Sequence, residues 1–336
     1  MNTKLVAILA FVAASAASFA NLKVVTTTTD LASIASLVGG KNVSVSSIIT
    51  GARDAHRIEA KPSYMSRVSS ASVFIAVGLD LEVAYEKAIL DGSGNGKVRL
   101  GQPGHLYASE FAYVIEKPTG AVTRAQGDIH PDGNPHIMLD PWNGRLVGIG
   151  IARRFQQLDK GNAASYESNL QEYLNRMDTA MFGSKLMQKY GGTKLWQWAN
   201  AGGFTKKLAS VGASDDIGGW ASTARLLSGK PILTYHRSMS YLARRFGLNV
   251  VDQLEPKPGL EPTPGHLAKV IREGKERGVK AVVLEPFFSA RSAELVASRI
   301  GAKVVVIPQS VGQAPGANDY ISLFDVIVSR IAEGVR

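Results

Sequence analysis

NGRLVGIGIARRFQQLDKGNAASYESNLQEYLNRMDTAMFGSKLMQKY, residues Asn143–Tyr190, organises everything around it. The stretch holds no proline, and its apolar side chains recur at helical spacing. Val147, Ile151, Phe155 and Leu158 form one stripe, and Tyr166, Leu170, Leu174 and Met177 continue it beyond Gly161. A helix of about 30 residues would be about 45 Å long, enough to run along two lobes. On either side, short β-rich runs alternate with helical patterns. Strands are expected at Lys23–Thr27, Val43–Ile49, Val73–Val77, Val98–Leu100 and Tyr113–Glu116 before the long stretch. After it they are expected at Pro231–Thr234, Asn249–Asp252, Ala281–Leu284 and Lys303–Ile307. Helices are expected at Leu31–Val38, Pro62–Ser70, Leu81–Leu90, Pro264–Arg277, Ala290–Arg299 and Tyr320–Glu333. This alternation predicts an α/β protein whose mostly parallel sheets are flanked by helices.

The chain has 336 residues, which at about 150 residues per domain suggests two domains. A hydrophobic fraction of 45% and a charged fraction of 20% are those of a globular protein. The formal net charge is +10, but the basic residues are scattered and no run of five occurs, so nucleic acid is not expected as a partner. With Cys 0 there are no disulfides, thiolate metal sites, iron–sulfur clusters or N-terminal lipidated cysteine. Any metal must be held by His, Asp, Glu or backbone oxygen. Residues 1–20, MNTKLVAILAFVAASAASFA, place Lys4 before a short apolar run and end in small residues. That is the pattern of a secretory signal peptide cleaved after Ala20, and it predicts export to a bacterial periplasm.

Six histidines are the natural place to look for chemistry. His56 follows a predicted strand, His136 lies in the turn-rich Gly-Asn-Pro-His-Ile-Met-Leu-Asp-Pro, and His236 ends the strand Pro-Ile-Leu-Thr-Tyr-His. Glu285 closes the otherwise apolar run Ala-Val-Val-Leu-Glu-Pro, where a lone carboxylate needs a partner. Taken singly, each histidine is an ordinary loop residue. Taken jointly, three imidazoles and one carboxylate beside strand ends suit zinc, with manganese or iron also possible. Four protein ligands would close a tetrahedral shell, which favours binding over catalysis. His105 and His266 lie in unremarkable settings, and His130, six residues before His136, is placed to approach the same site.

These segments together resemble the periplasmic zinc- and manganese-binding solute-binding proteins of ABC importers. Lys23–Asp30 (KVVTTTTD) is similar to the family's opening strand, and Asp54-Ala55-His56 with Pro62-Ser63 to its first ligand motif, where Pro is more usual than Ala55. Gly133–Pro141 (GNPHIMLDP) resembles the second motif, Tyr235–Leu248 (YHRSMSYLARRFGL) the third and Leu284–Ser289 (LEPFFS) the fourth. Many members carry an Asp ligand after the next strand; here Pro308 stands near that place, so the resemblance assigns the role to Glu285. Residues 191–229, Gly-rich and aromatic, form a longer central segment than the family pattern.

The resemblance implies two α/β lobes joined by one long helix, with the metal in the cleft between them. His56 and His136 would come from the first lobe, and His236 and Glu285 from the second. The expected divisions are 1–20 signal peptide, 21–142 N-terminal lobe, 143–190 linking helical segment and 191–336 C-terminal lobe. The expected role is capture of Zn2+ (alternatively Mn2+ or Fe2+) by a monomer and delivery to the inner-membrane permease of an ABC transporter, not an enzymatic reaction. The rival readings are a metal-dependent hydrolase and an adhesin with a structural metal. Asp54 and Asp140 are expected to orient the ligand loops, with helix capping the alternative for Asp140.

Overall fold

Val24, Val25 and Thr26 are all buried, which requires neighbours on both edges and cover on both faces of their strand. β1 (Leu22–Thr26) has both: it pairs in parallel with β2 (Val43–Ser47) and β3 (Val73–Ala76), and β3 pairs with β4 (His105–Tyr107). The computed structural model describes residues 21–120, 127 and 130–336; the expected signal peptide lies outside them. The second sheet repeats the plan. β5 (Pro231–Thr234) lies between β6 (Asn249–Gln253) and β7 (Ala281–Leu284), and β8 (Lys303–Val306) pairs with β7. The strand orders are β2-β1-β3-β4 and β6-β5-β7-β8. Parallel neighbours need crossover connections. Here α1 (Thr29–Gly39), α2 (Pro62–Ser69) and α3 (Glu86–Ser93) serve the first sheet.

Six helices follow before the second sheet: α4 (Pro141–Leu158), α5 (Ala163–Phe182), α6 (Ser184–Tyr190), α7 (Gly192–Asn200), α8 (Phe204–Ser210) and α9 (Gly219–Leu227). The second sheet then carries α10 (Ser240–Phe246), α11 (Pro264–Glu276), α12 (Ala290–Ile300) and α13 (Tyr320–Gly334). The Pro-free stretch 143–190 is therefore three helices. α4 stops because Asp159 leaves helical dihedrals (φ −135, ψ 73). The Asp159 carboxylate accepts hydrogen bonds from Asn162 Nδ2 and Tyr166 Oη at 2.8 and 2.7 Å, closing a tight corner. α5, 20 residues and about 30 Å long, is the helix that links the lobes. It packs on α1 and α4 at one side and on α9 and α13 at the other. Among the described residues, no helix is long and apolar enough to cross a membrane.

Two expected strands are absent. Val98–Leu100 is the end of a 3-10 turn (Gly96–Val98) and the bend beyond it. Val98 is buried as a plug under the first sheet, and the fourth strand is the short, polar-flanked His105–Tyr107. Tyr113–Glu116 stays extended but pairs with other elements: its backbone bonds Asn143, Tyr241 Oη and Asn134. Glu116 then takes a left-handed φ of 57, which a strand does not tolerate. The helix expected from Leu81 begins only at Glu86, after a left-handed turn at Gly78, Leu79 and Asp80. Buried Glu82 holds that turn, accepting hydrogen bonds from Thr27 Oγ1, Val77 N and Gly78 N at 2.6, 2.8 and 3.0 Å. Burial pushes its carboxyl up to about 7, against those bonds.

Gly144 shows how closely the halves meet. A Cβ there would lie 2.1 Å from Cε1 of Tyr320 in α13. Its absence lets the Tyr320 hydroxyl donate to the Met138 carbonyl at 2.6 Å. Gly144→Ala is expected to lower unfolding free energy by about 1–3 kcal/mol, measured by urea denaturation.

Candidate metal centre

Asp54 and Asn134 do the same job in two different loops. The chain leaves β2, turns at the left-handed Gly51 and reaches Asp54. Asp54 Oδ1 accepts from both the backbone N and ring Nδ1 of His56, each at 2.9 Å. Just before α4, Asn134 Oδ1 accepts from His136 N at 3.0 Å and His136 Nδ1 at 2.8 Å. The Asn134 amide points the right way because its Nδ2 is spent on two acceptors, Glu116 Oε2 and the Arg237 carbonyl. His236 leaves the end of β5, and its Nδ1 donates to Glu255 Oε2 at 2.6 Å. Glu255, just beyond β6, also accepts from Gly259 N at 3.0 Å.

With a proton on Nδ1, a neutral imidazole carries its lone pair on Nε2. All three rings are held in that tautomer and converge. Their centroids are 5.2 Å (His56–His136), 5.3 Å (His136–His236) and 5.7 Å (His56–His236) apart. One ligand atom from each lies within 4.8 Å of the others. Nε2 of His56 and of His136 are buried with no hydrogen-bond partner, a costly arrangement for a polar atom. Tetrahedral zinc with nitrogen bonds of about 2.0–2.1 Å would separate its ligand atoms by about 3.4 Å. The donor set therefore fits a divalent ion after a small inward shift.

The electrostatics agree. Burial, followed by the charges His56, His236 and His130 would carry, holds His136 well below the ordinary imidazole value. Burial also opposes charge on His236, but the hydrogen bond and charge of Glu255, with Glu285 and Asp54, raise it. Burial opposes ionisation of Asp54 too, and His56 overcomes it through hydrogen bonds and charge, holding that carboxyl low.

Glu285 stands immediately after β7 and is 1% exposed. It lies outside the 4.8 Å group of ligand atoms. Its Oε1 accepts from Ser238 Oγ, and its buried Oε2 has no hydrogen-bond partner. Burial pushes this carboxyl up to about 7, opposed by His236 and Ser238. The His130 ring lies 5.3 Å from that of His56 and lines a cavity with His136, His236 and Arg237. Asp140 caps α4 by accepting from Trp142 N at 2.9 Å. His105 bonds Glu86, and His266 bonds the Gln253 carbonyl; neither joins the cluster. Sequence reasoning passed over Asn134 and Glu255. Asn134 was signalled by spacing, since Asn-Pro-His repeats the Asp-Ala-His arrangement. Nothing local marks Glu255, which meets His236 only because β5 and β6 are neighbours.

A family model described as zinc-uptake complex component A, periplasmic (ZnuA), matches residues 24–181 and 199–334. The chain belongs to this family. Its relatives are metal-binding substrate-binding components of ABC transporters. The high-affinity zinc uptake system protein ZnuA of Bacillus subtilis (strain 168) is 26% identical over 174 residues, 52% of this chain and 43% of that protein. The manganese ABC transporter substrate-binding lipoprotein scaA of Streptococcus gordonii is 24% identical over 160 residues, 48% of this chain and 49% of that one. The matched segments thus span less than half the length of either relative. A crystal structure of ZnuA superposes with a TM-score of 0.69 at 20% identity, covering 94% of this chain and 100% of that one. The two parallel sheets and the linking helix are this fold.

The Glu255 carboxylate is what lifts His236 against burial. Replacing it by a neutral amide in Glu255→Gln should lower the His236 titration in metal-free protein, followed by NMR of the imidazole ring; an unchanged midpoint would refute this origin.

Proposed function

We propose that this protein captures a divalent transition metal, zinc in preference to manganese, in the periplasm and delivers it to the permease of an ABC importer. One observation carries the reading: three imidazoles, each fixed at Nδ1, aim their remaining nitrogens at one buried point. His56, His136 and His236 are the neutral ligands, and Glu285 supplies the negative charge from beside His236. Imidazole nitrogen favours zinc over the oxygen-seeking manganese. Family membership supports the transport role, and the expected signal peptide at residues 1–20 supports the location. The histidines follow strands of both sheets and meet where the two halves face each other. With Glu285 they would give the ion four protein ligands and no open position for a substrate, which favours carrier over enzyme.

Calorimetric titration of metal-free protein tests this directly. Zinc should bind with one site and raise the melting temperature, by about 2.7 kcal/mol of stabilisation at 100-fold excess over Kd. No heat and no thermal shift with either ion would end the proposal. His136→Ala should abolish tight binding, and Asn134→Ala, which frees the ring, should weaken it about 10–100-fold. Chelated protein should keep its circular dichroism spectrum; loss of the fold would make the metal structural instead.

Acidity gives a second test. The proton on His236 must leave before zinc binds, and its folded-state value lies above the ordinary imidazole value of about 6.5. Competition therefore starts above that pH and deepens below it, so zinc affinity should fall from pH 8 to pH 5.5. His136, held low, adds nothing to this until the medium is far more acidic.

A further inference from the structure

The family model passes from residue 181 to residue 199, and the unmatched residues are α6 and nearly all of α7. This segment reaches the Arg245–Asp140 pair, at the end of the His136 loop, through one indole. Gly191 turns with a left-handed φ of 69, and Gly192 has no room for a side chain: a Cβ there would lie 1.9 Å from Asp178 Oδ2. α7 can therefore start hard against α5, and Trp196, 1% exposed, is driven inward. Its Nε1 donates to Asp178 Oδ1 at 2.6 Å. The same carboxylate takes Arg145 Nε of α4 at 3.1 Å.

The other side of the indole meets a second buried pair. Arg245 of α10 sits over the Trp196 ring, Cζ 5.1 Å from its centroid. Its Nε and Nη2 bind Asp140 Oδ1 and Oδ2 at 2.7 and 3.0 Å, and its Nη1 donates to Asn200 Oδ1 of α7 at 3.0 Å. Asp140 ends the loop that carries His136, and α10 follows the loop that carries His236. The Arg245–Asp140 pair thus ties the end of the His136 loop to α10, the helix that continues from the His236 loop. A bidentate pair of this kind is strong only while water is kept away. Its side chains are 11% and 7% exposed, and Trp196, packed also on Trp142 and Phe182, covers the guanidinium.

We propose that the α6–α7 segment is a brace on the metal centre: Trp196 shields the Arg245–Asp140 tie, which holds the His136 and His236 loops at the spacing that retains the ion. Trp196 and Arg245 are positioning residues and touch no metal. The proposal rests on the metal-capture reading for its consequence, but the brace is observable without metal.

The test compares the mature protein with Trp196→Phe and Arg245→Lys, both of which keep the local bulk or charge. In stopped-flow transfer of zinc to a chelator, both variants should release the ion about 10-fold faster. Release from Trp196→Phe should accelerate further between 50 and 500 mM NaCl, because its ion pair is now wetted and screened, while wild-type release should not. In metal-free protein, amide hydrogen exchange across 134–140 should be faster in both variants. A lower melting temperature with wild-type release, wild-type salt response and wild-type exchange would overturn the brace and leave Trp196 an ordinary core residue. Wild-type protein that takes up no zinc would defeat the transport reading alone, and exchange at 134–140 would still decide the brace.

Discussion

The three hydrogen bonds from imidazole Nδ1 to Asp54, Asn134 and Glu255 are the constraint on which the candidate metal centre depends. A loop histidine left to itself samples both tautomers and many rotamers. Binding an ion then costs the entropy of freezing three rings. Here the acceptors settle tautomer and aim before any ion arrives. The cost is visible in the protein alone, as the buried Nε2 atoms of His56 and His136 with nothing to bond. Burial first, and the neighbouring imidazoles after it, hold His136 neutral, while the Glu255 carboxylate favours a proton on His236.

Those acceptors are useful only if their loops keep station, and the loops come from opposite sides of the cleft. Contacts across it are numerous and mostly buried. Tyr241 Oη donates to the Asn134 carbonyl at 2.7 Å, and Tyr320 Oη donates to that of Met138. Asp30, at the start of α1, accepts from Ser310 Oγ and Val311 N beyond β8. With α5 packed along both sides, the architecture favours small adjustments at the centre over wide hinge closure. Strand order explains why these side chains gather there. Both sheets carry the order that opens a crevice beyond the carboxyl ends of their central strands; His236 and Glu285 lie past such ends, and His56 lies in the loop after the edge strand β2.

Much of this was legible beforehand. Short apolar runs made β1, β3, β5 and β7 readable as covered parallel strands, and strand–helix alternation made their direction readable. The helical stripe through 143–190 identified the connecting region, but not its corner, because the Asp159–Tyr166 bond that closes the corner is a side-chain contact with no periodic signature. Tyr113–Glu116 has strand composition and no strand partner, since the edge it might have joined is taken by His105–Tyr107.

Local chemistry, written in residue order, determined the α/β class and the candidate histidines, since periodicity and turn residues act over a few positions. Asp54 lies two residues before His56, and Asn134 two before His136, so their pairing too is a property of the chain. Tertiary structure alone decided that these rings share one point and that Glu255, 19 residues from His236, fixes the third. It also decided that Glu285 turns to Ser238 and that Trp196 reaches Arg245. Such relations depend on which strands and helices become neighbours, and that is settled by burial of the whole apolar surface at once, not by any segment on its own.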